Sequence, residues 1–150
     1  MNEDRKRVLF ICIGNSCRSQ MAEAFARAYG SDVMAPASAG LAAASDIAPD
    51  TMRAMLERGI DLRDHFPKSL RHMNRVQFDI VVNMSGMGLP GERNERVLEW
   101  DVPDPVLMPY EDHCEIRDLI ERKVMQLVLE LRHDQSEPRF RGQGSGRPKA

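Results

Sequence analysis

Cys12 and Arg18 are separated by Ile13-Gly14-Asn15-Ser16-Cys17, and Ser19 follows directly. The apolar run Val8-Leu9-Phe10-Ile11 leads into the thiol, and a helix-like pattern begins after the guanidinium. A strand that stops at Cys12 and a helix that starts near Arg18 leave a tight turn with inward-pointing N–H groups. Those donors, together with the positive end of the helix, suit a tetrahedral oxyanion. Gly14 permits backbone geometry closed to other residues, and Asn15 tolerates the left-handed region. Arg18 can hold two oxygens of one anion at once. The same positive field favours the thiolate of Cys12, and the Ser19 hydroxyl can donate to the sulfur. A thiolate facing a bound phosphorus atom is poised for covalent catalysis.

A lone cysteine at the end of a buried strand is ordinarily a small core hydrophobe. The strand, thiol, small polar loop, Arg-Ser pair and amphipathic helix together argue for chemistry instead. No G-x-x-x-x-G-K-[ST] segment occurs, which excludes a nucleotide-binding P-loop. Cys12 and Cys17 lack a second Cys or His pair at zinc spacing, so no metal is expected. The chain has 150 residues and a formal net charge of −2, enough for one domain and no electrostatic case for nucleic acid or membrane. No run approaches the roughly 20 apolar residues of a membrane span. Asn2-Glu3-Asp4-Arg5-Lys6-Arg7 is polar where a signal peptide would be apolar. An odd cysteine count of 3 points to a reducing cytoplasm rather than a secreted disulfide framework. The ten methionines read as flexible core filling.

The elements that must position the loop follow from hydrophobic period and punctuation. Strands are expected at 8–11, 33–37, 78–82 and 97–100. Helices are expected at 19–29, stopping at Gly30, at 49–58 with Pro49 in the first turn, and at 112–132; 70–75 reads as one or two helical turns. The second helix should bury Met52, Met55 and Leu56, and the last should bury Ile116, Leu119, Ile120, Val124, Leu127, Val128 and Leu131. Alternating strands and helices predict an α/β three-layer sandwich, a four-stranded parallel sheet with helices on both faces. Ligands then bind beyond the strands' C-terminal ends, where Cys12 and Asp104 both fall. Residues 1–133 form the domain, and 134–150 read as a disordered polar and basic tail.

The run V-L-F-I-C-I-G-N-S-C-R-S-Q-M-A-E-A at 8–24 resembles the signature of the low-molecular-weight protein tyrosine phosphatase superfamily, which includes thioredoxin-coupled arsenate reductases. Similarity extends through Ser38-Ala39-Gly40, Gly59-Ile60-Asp61, His65 and Asp104-Pro105 to about Arg132. The resemblance implies a loop of Ile13, Gly14, Asn15, Ser16, Cys17 and Ser19 that binds the oxyanion, with Cys12 as nucleophile and Arg18 as clamp. Asp104, just before a proline, is implied as general acid, with Asp101 as the fallback. Asn15 and Ser38 are implied as loop supports, and His65 and His72 are candidates for the same duty. Cys17 either forms a disulfide with Cys12 or packs beneath the loop, and Cys114 reads as structural.

Two departures bear on the reaction. Phosphatases that prefer aryl esters usually follow the acid with aromatic residues; here Asp104-Pro105 is followed by Val106-Leu107-Met108-Pro109, and Tyr110 is the first ring. Gln20 is nearer to the arsenate reductases, whose cysteine relay would lie near the end of the third strand. That position reads Asn83-Met84-Ser85-Gly86-Met87-Gly88, without cysteine. The intact acid and missing relay favour a phosphomonoesterase acting on phosphotyrosine proteins or small phosphate esters. The runner-up is arsenate reduction by Cys12 with an external thiol donor, thioredoxin or a small thiol. A third reading is an oxyanion-binding or redox-sensing module without turnover. Hydrolysis needs no metal or organic cofactor.

Overall fold

The computed structural model describes residues 5–136. The elements run β1 (Lys6–Cys12), α1 (Arg18–Gly30), β2 (Met34–Gly40), α2 (Pro49–Leu56), a 3₁₀ turn (Leu70–Met73), β3 (Ile80–Asn83), β4 (Arg96–Glu99) and α3 (Tyr110–Ser136). The strands form one parallel sheet in the order β2-β1-β3-β4. β1 lies inside it, and Val8, Leu9, Phe10 and Ile11 are buried on both faces, as the unbroken apolar run requires.

The two faces are covered unequally. Val8, Phe10, Ile80 and Val82 pack against Met21, Phe25, Met55, Ile120, Val124 and Val128 from the three α-helices. On the other face Leu9, Ile11 and Val81 meet Leu70 and Met73 of the 3₁₀ turn, with Leu89 from the loop after β3. The parallel sheet with helical cover is as expected, but its second layer is a single turn and loop. α1 and α3 approach closely at Gly30, where a Cβ would lie 2.5 Å from Val128 Cγ2.

Element ends differ from the sequence expectation for local reasons. β3 begins at Ile80 rather than Phe78; the Asp79 carboxylate accepts the Arg7 N–H at 2.8 Å in place of a ladder carbonyl. α2 ends at Leu56 and buries Thr51, Ala54 and Met55, which share a face at helical spacing. Leu56, expected to be buried, is therefore turned outward and exposed. α3 starts directly after Pro109 and continues through Ser136, taking in the first three residues of the tail expected from 134. Residues 137–150 of that tail lie outside the described residues.

β2 carries the tightest constraint on the neighbouring loop. A Cβ at Gly40 would sit 2.6 Å from the Ile13 carbonyl oxygen, 2.8 Å from Asn15 N and 2.9 Å from Gly14 C. Those are backbone atoms, which cannot swing aside. Gly40→Ala is expected to cost about 1–3 kcal/mol through overpacking, read as a lower urea midpoint at unchanged m-value.

Candidate active site

Cys12 is the last residue of β1 and Arg18 the first of α1, so the intervening loop turns at the carboxyl edge of the sheet. Its carbonyls are all engaged from outside. Leu41, Ala42, Ala44 and Ala48 donate their N–H groups to the carbonyls of Cys12, Ile13, Gly14 and Ser16 at 3.1, 2.8, 2.9 and 3.2 Å. Gln20 Nε2 donates to the Asn15 carbonyl at 3.1 Å, and the Cys17 carbonyl accepts Met21 N–H at 3.0 Å. A planar peptide directs its N–H opposite to its C=O, so the loop turns its donors inward. The left-handed residue is Asn15, with φ +51°, whereas Gly14 stays out of that region. A Cβ on Gly14 would meet only ordinary contacts, the nearest being Ala44 Cβ at 3.6 Å.

The sulfur of Cys12 lies 2.9 Å from Ser19 Oγ and 3.4 Å from Ser19 N. Asn15 Nδ2 donates to Ser19 Oγ at 2.7 Å, which leaves the hydroxyl proton free to point at sulfur. Arg18 is 4 % exposed. Its Nη1 donates to the carbonyls of Met84 and Val102, and its Nη2 lies 3.4 Å from Asp104 Oδ2. Its buried Nε has no hydrogen-bond partner among the described residues, a donor for which an oxyanion oxygen is a natural acceptor.

Cys12, Ile13, Gly14, Ser16, Cys17 and Arg18 line a cavity of about 220 Å³ together with Ala44, Asp104 and Val106. Thiol, guanidinium and Asp104 carboxylate are thus brought to one pocket. Asn15 and Ser19 lie beneath it rather than in its wall. Asp101, the fallback acid, is exposed and is absent from the lining. Burial pushes the Cys17 thiol up, opposed by hydrogen bonds from Thr51 and Ser16.

Hydrogen bonds from two neighbouring segments fix Asn15. Its Oδ1 accepts from Gln20 Nε2 at 3.0 Å and Lys68 N at 2.8 Å. Gln20 also bonds Phe66 O at 3.0 Å and His65 Nδ1 at 3.2 Å. His65 therefore reaches the loop through Gln20, while His72 is exposed on the 3₁₀ turn. Ser38 Oγ donates to buried Glu23 at 2.6 Å, so its link to the loop runs through α1. The Lys68 ammonium lies 4.0 Å from Glu23, and burial lowers its proton affinity against the opposing pull of that carboxylate. Cys114 is half-buried on α3 and lies near Tyr110. Tyr110 itself bonds Glu57, and it is not in the pocket wall. Gln20, Glu23, Lys68, Thr51 and the carbonyls of Met84 and Val102 were not marked as site residues by the sequence; only the glutamine, adjoining the motif, carried a signal.

Comparison with known proteins agrees with this geometry. The profile of the low molecular weight phosphotyrosine protein phosphatase family matches residues 7–90. The glutaredoxin arsenate reductase of Synechocystis sp. is 33% identical over 130 residues, covering 84% of this chain and 98% of that protein. A solved arsenate reductase in the phosphate binding state superposes with TM-score 0.76 at 29% identity, covering 84% of this chain and 98% of its own. The low molecular weight protein tyrosine phosphatase of T. tengcongensis gives TM-score 0.69 at 29% identity, covering 84% and 99%. The strand-end cysteine, its oxyanion cradle and these likenesses make one identification: the chain belongs to the low molecular weight phosphotyrosine protein phosphatase family.

Proposed function

We propose that this chain is an arsenate reductase in which Cys12 is the nucleophile and an external thiol supplies the electrons. The observation that carries it is a pocket shaped for a bare tetrahedral oxyanion. Amides, Arg18 and Cys12 surround the anion, and Ala44 and Val106 complete the wall with aliphatic groups. Its volume, about 220 Å³, falls below the roughly 300–1,000 Å³ of sites for larger organic ligands. The arsenate reductase names of the relatives support the same choice. Expectation from sequence alone ranked hydrolysis first, and these two considerations reverse the order.

In the first step the Cys12 thiolate forms a bond to arsenic. One arsenate oxygen leaves as water after taking a proton from Asp104. Arg18 and the inward amides hold the remaining oxygens. A second sulfur then attacks Cys12 Sγ: an S–S bond forms, the S–As bond breaks, and its electron pair stays on arsenic. Arsenic(V) becomes arsenic(III), and two thiol sulfurs become a disulfide. The segment 83–88 has no cysteine, so reducing equivalents for further turnovers come from a thiol such as glutathione or glutaredoxin.

Asp104 favours a second reading, phosphomonoester hydrolysis through a cysteinyl-phosphate. Its carboxylate borders the same pocket, where it can protonate a leaving alkoxide and later activate water.

Purified protein given arsenate, glutathione and glutaredoxin is expected to form arsenite in the presence of a metal chelator. Cys12→Ser should abolish that product while still binding phosphate or vanadate. Release of phosphate from an aryl ester, with no arsenite from arsenate, overturns the first reading in favour of the second. On the second reading Asp104→Asn loses on the order of 10²–10⁴ in rate with alkyl phosphates, and less with good leaving groups.

A further inference from the structure

Behind the loop lies a buried polar chain that the steps above do not use. Thr51 on α2 is completely buried, and His113 on α3 is 3% exposed. Thr51 Oγ1 and His113 Nδ1 are 3.2 Å apart, and the Thr51 hydroxyl lies close enough to the Cys17 thiol to ease its ionisation. Thiol, hydroxyl and imidazole therefore form a continuous line from the pocket wall into the α2–α3 seam. Apolar side chains would pack that seam without desolvating polar groups, so its hydroxyl and imidazole call for a use. Cys17 lines the pocket beside Cys12. Its thiol is near enough to Cys12 for the two charges to repel, and burial holds it protonated.

We propose that Cys17 is the resolving thiol of the arsenate reaction, and that Thr51 and His113 carry away its proton. The proposal rests on the arsenate reductase reading. Once Cys12 holds arsenic, Cys17 Sγ attacks Cys12 Sγ. The S–S bond forms, the S–As bond breaks, and arsenic keeps the electron pair as arsenite. The Cys17 proton moves to Thr51 Oγ1, whose own proton passes to Nδ1 of His113. Imidazole suits the task because it accepts and returns protons near neutral pH. The external thiol then reduces a Cys12–Cys17 disulfide instead of attacking the arsenic adduct. Asp104 and the Cys12 thiolate oppose ionisation of Cys17, and the Ser16 hydroxyl favours it; Arg18 shares the same cavity. Other ionisable groups where α2 and the residues after it meet α3 include Arg53, Glu57, Arg58, Tyr110, Cys114, Arg117, Asp118 and Glu121.

The test is a single turnover. Fully reduced protein, freed of small thiols, is mixed with arsenate and nothing else. One arsenite per chain should appear with loss of two thiols, and peptide mapping should find Cys12 joined to Cys17. Cys17→Ala should give no such burst. A burst that survives in Cys17→Ala, or a disulfide that omits Cys17, overturns the proposal. So does wild-type protein that makes arsenite only when glutathione is added, a result that leaves the arsenate reductase reading standing. Absence of arsenite even with excess glutathione and glutaredoxin instead defeats that reading itself. Thr51→Val and His113→Phe test the proton path. Each should slow the burst by on the order of 10²-fold at neutral pH, with a rate that climbs tenfold per pH unit as hydroxide replaces the relay. Unchanged rates and an unchanged pH profile would remove the two residues from the mechanism.

Discussion

The outward pull on the carbonyls of residues 12–17 is the constraint from which the rest of the site follows, because each planar peptide must then aim its N–H at the centre. Four of those six bonds come from the turn 41–48 that follows β2. Each is worth only about 0.5–1.5 kcal/mol net, but turning one peptide over would leave a carbonyl without its partner and aim another at the anion. The bonds therefore act together. Gly40 completes the arrangement by letting β2 pass within contact distance of the loop backbone, where any side chain would push the cradle away from its supports.

Arg18 is held by a different device. A buried guanidinium is costly unless its donors are matched, and Met84 O and Val102 O match one end of it. Met84 follows β3 and Val102 lies shortly after β4, so the sheet's carboxyl edge fixes the fork's direction. The remaining face, with Nε and an Nη2 only 3.4 Å from Asp104, is left for an anion. Lysine could supply the charge but not this division of labour, since a single ammonium cannot be anchored at one end and bind bidentately at the other.

What could be read from the sequence is what depends on neighbours along the chain. Cys12, Arg18 and Ser19 fall within one strand–loop–helix unit, and the parallel sheet and its crevice follow from alternation of elements. Asp104 came from the resemblance, and it lines the same pocket as Cys12 and Arg18. Contacts made by backbone atoms of distant segments leave no mark in residue types, so the carbonyls that clamp Arg18 were invisible. The assignment of backbone freedom to Gly14 missed because glycine merely permits the left-handed region, while the bonds from Gln20 and Lys68 fix Asn15 there. Leu56 missed because α2 rotates to bury Thr51, a polar residue that hydropathy assigns to solvent. There its hydroxyl meets His113, sixty-two positions away.

The two reactions proposed for this site share everything up to the sulfur–oxyanion bond and part at the next nucleophile. Phosphorus(V) in a thiophosphate does not accept an electron pair from sulfur under mild conditions, so only attack by oxygen at phosphorus releases the enzyme. Arsenic(V) does accept the pair, so attack by sulfur at sulfur becomes available. For phosphate the decisive group is whatever activates water, which directs attention to Asp104 at the open side of the pocket. For arsenate it is whatever delivers a second thiolate, which directs attention to the buried side, where Cys17 meets Thr51. The cradle cannot distinguish anions of the same shape and charge. Discrimination between the two outcomes is therefore kinetic, set by how fast each side of one small cavity can deliver its nucleophile after Cys12 has reacted.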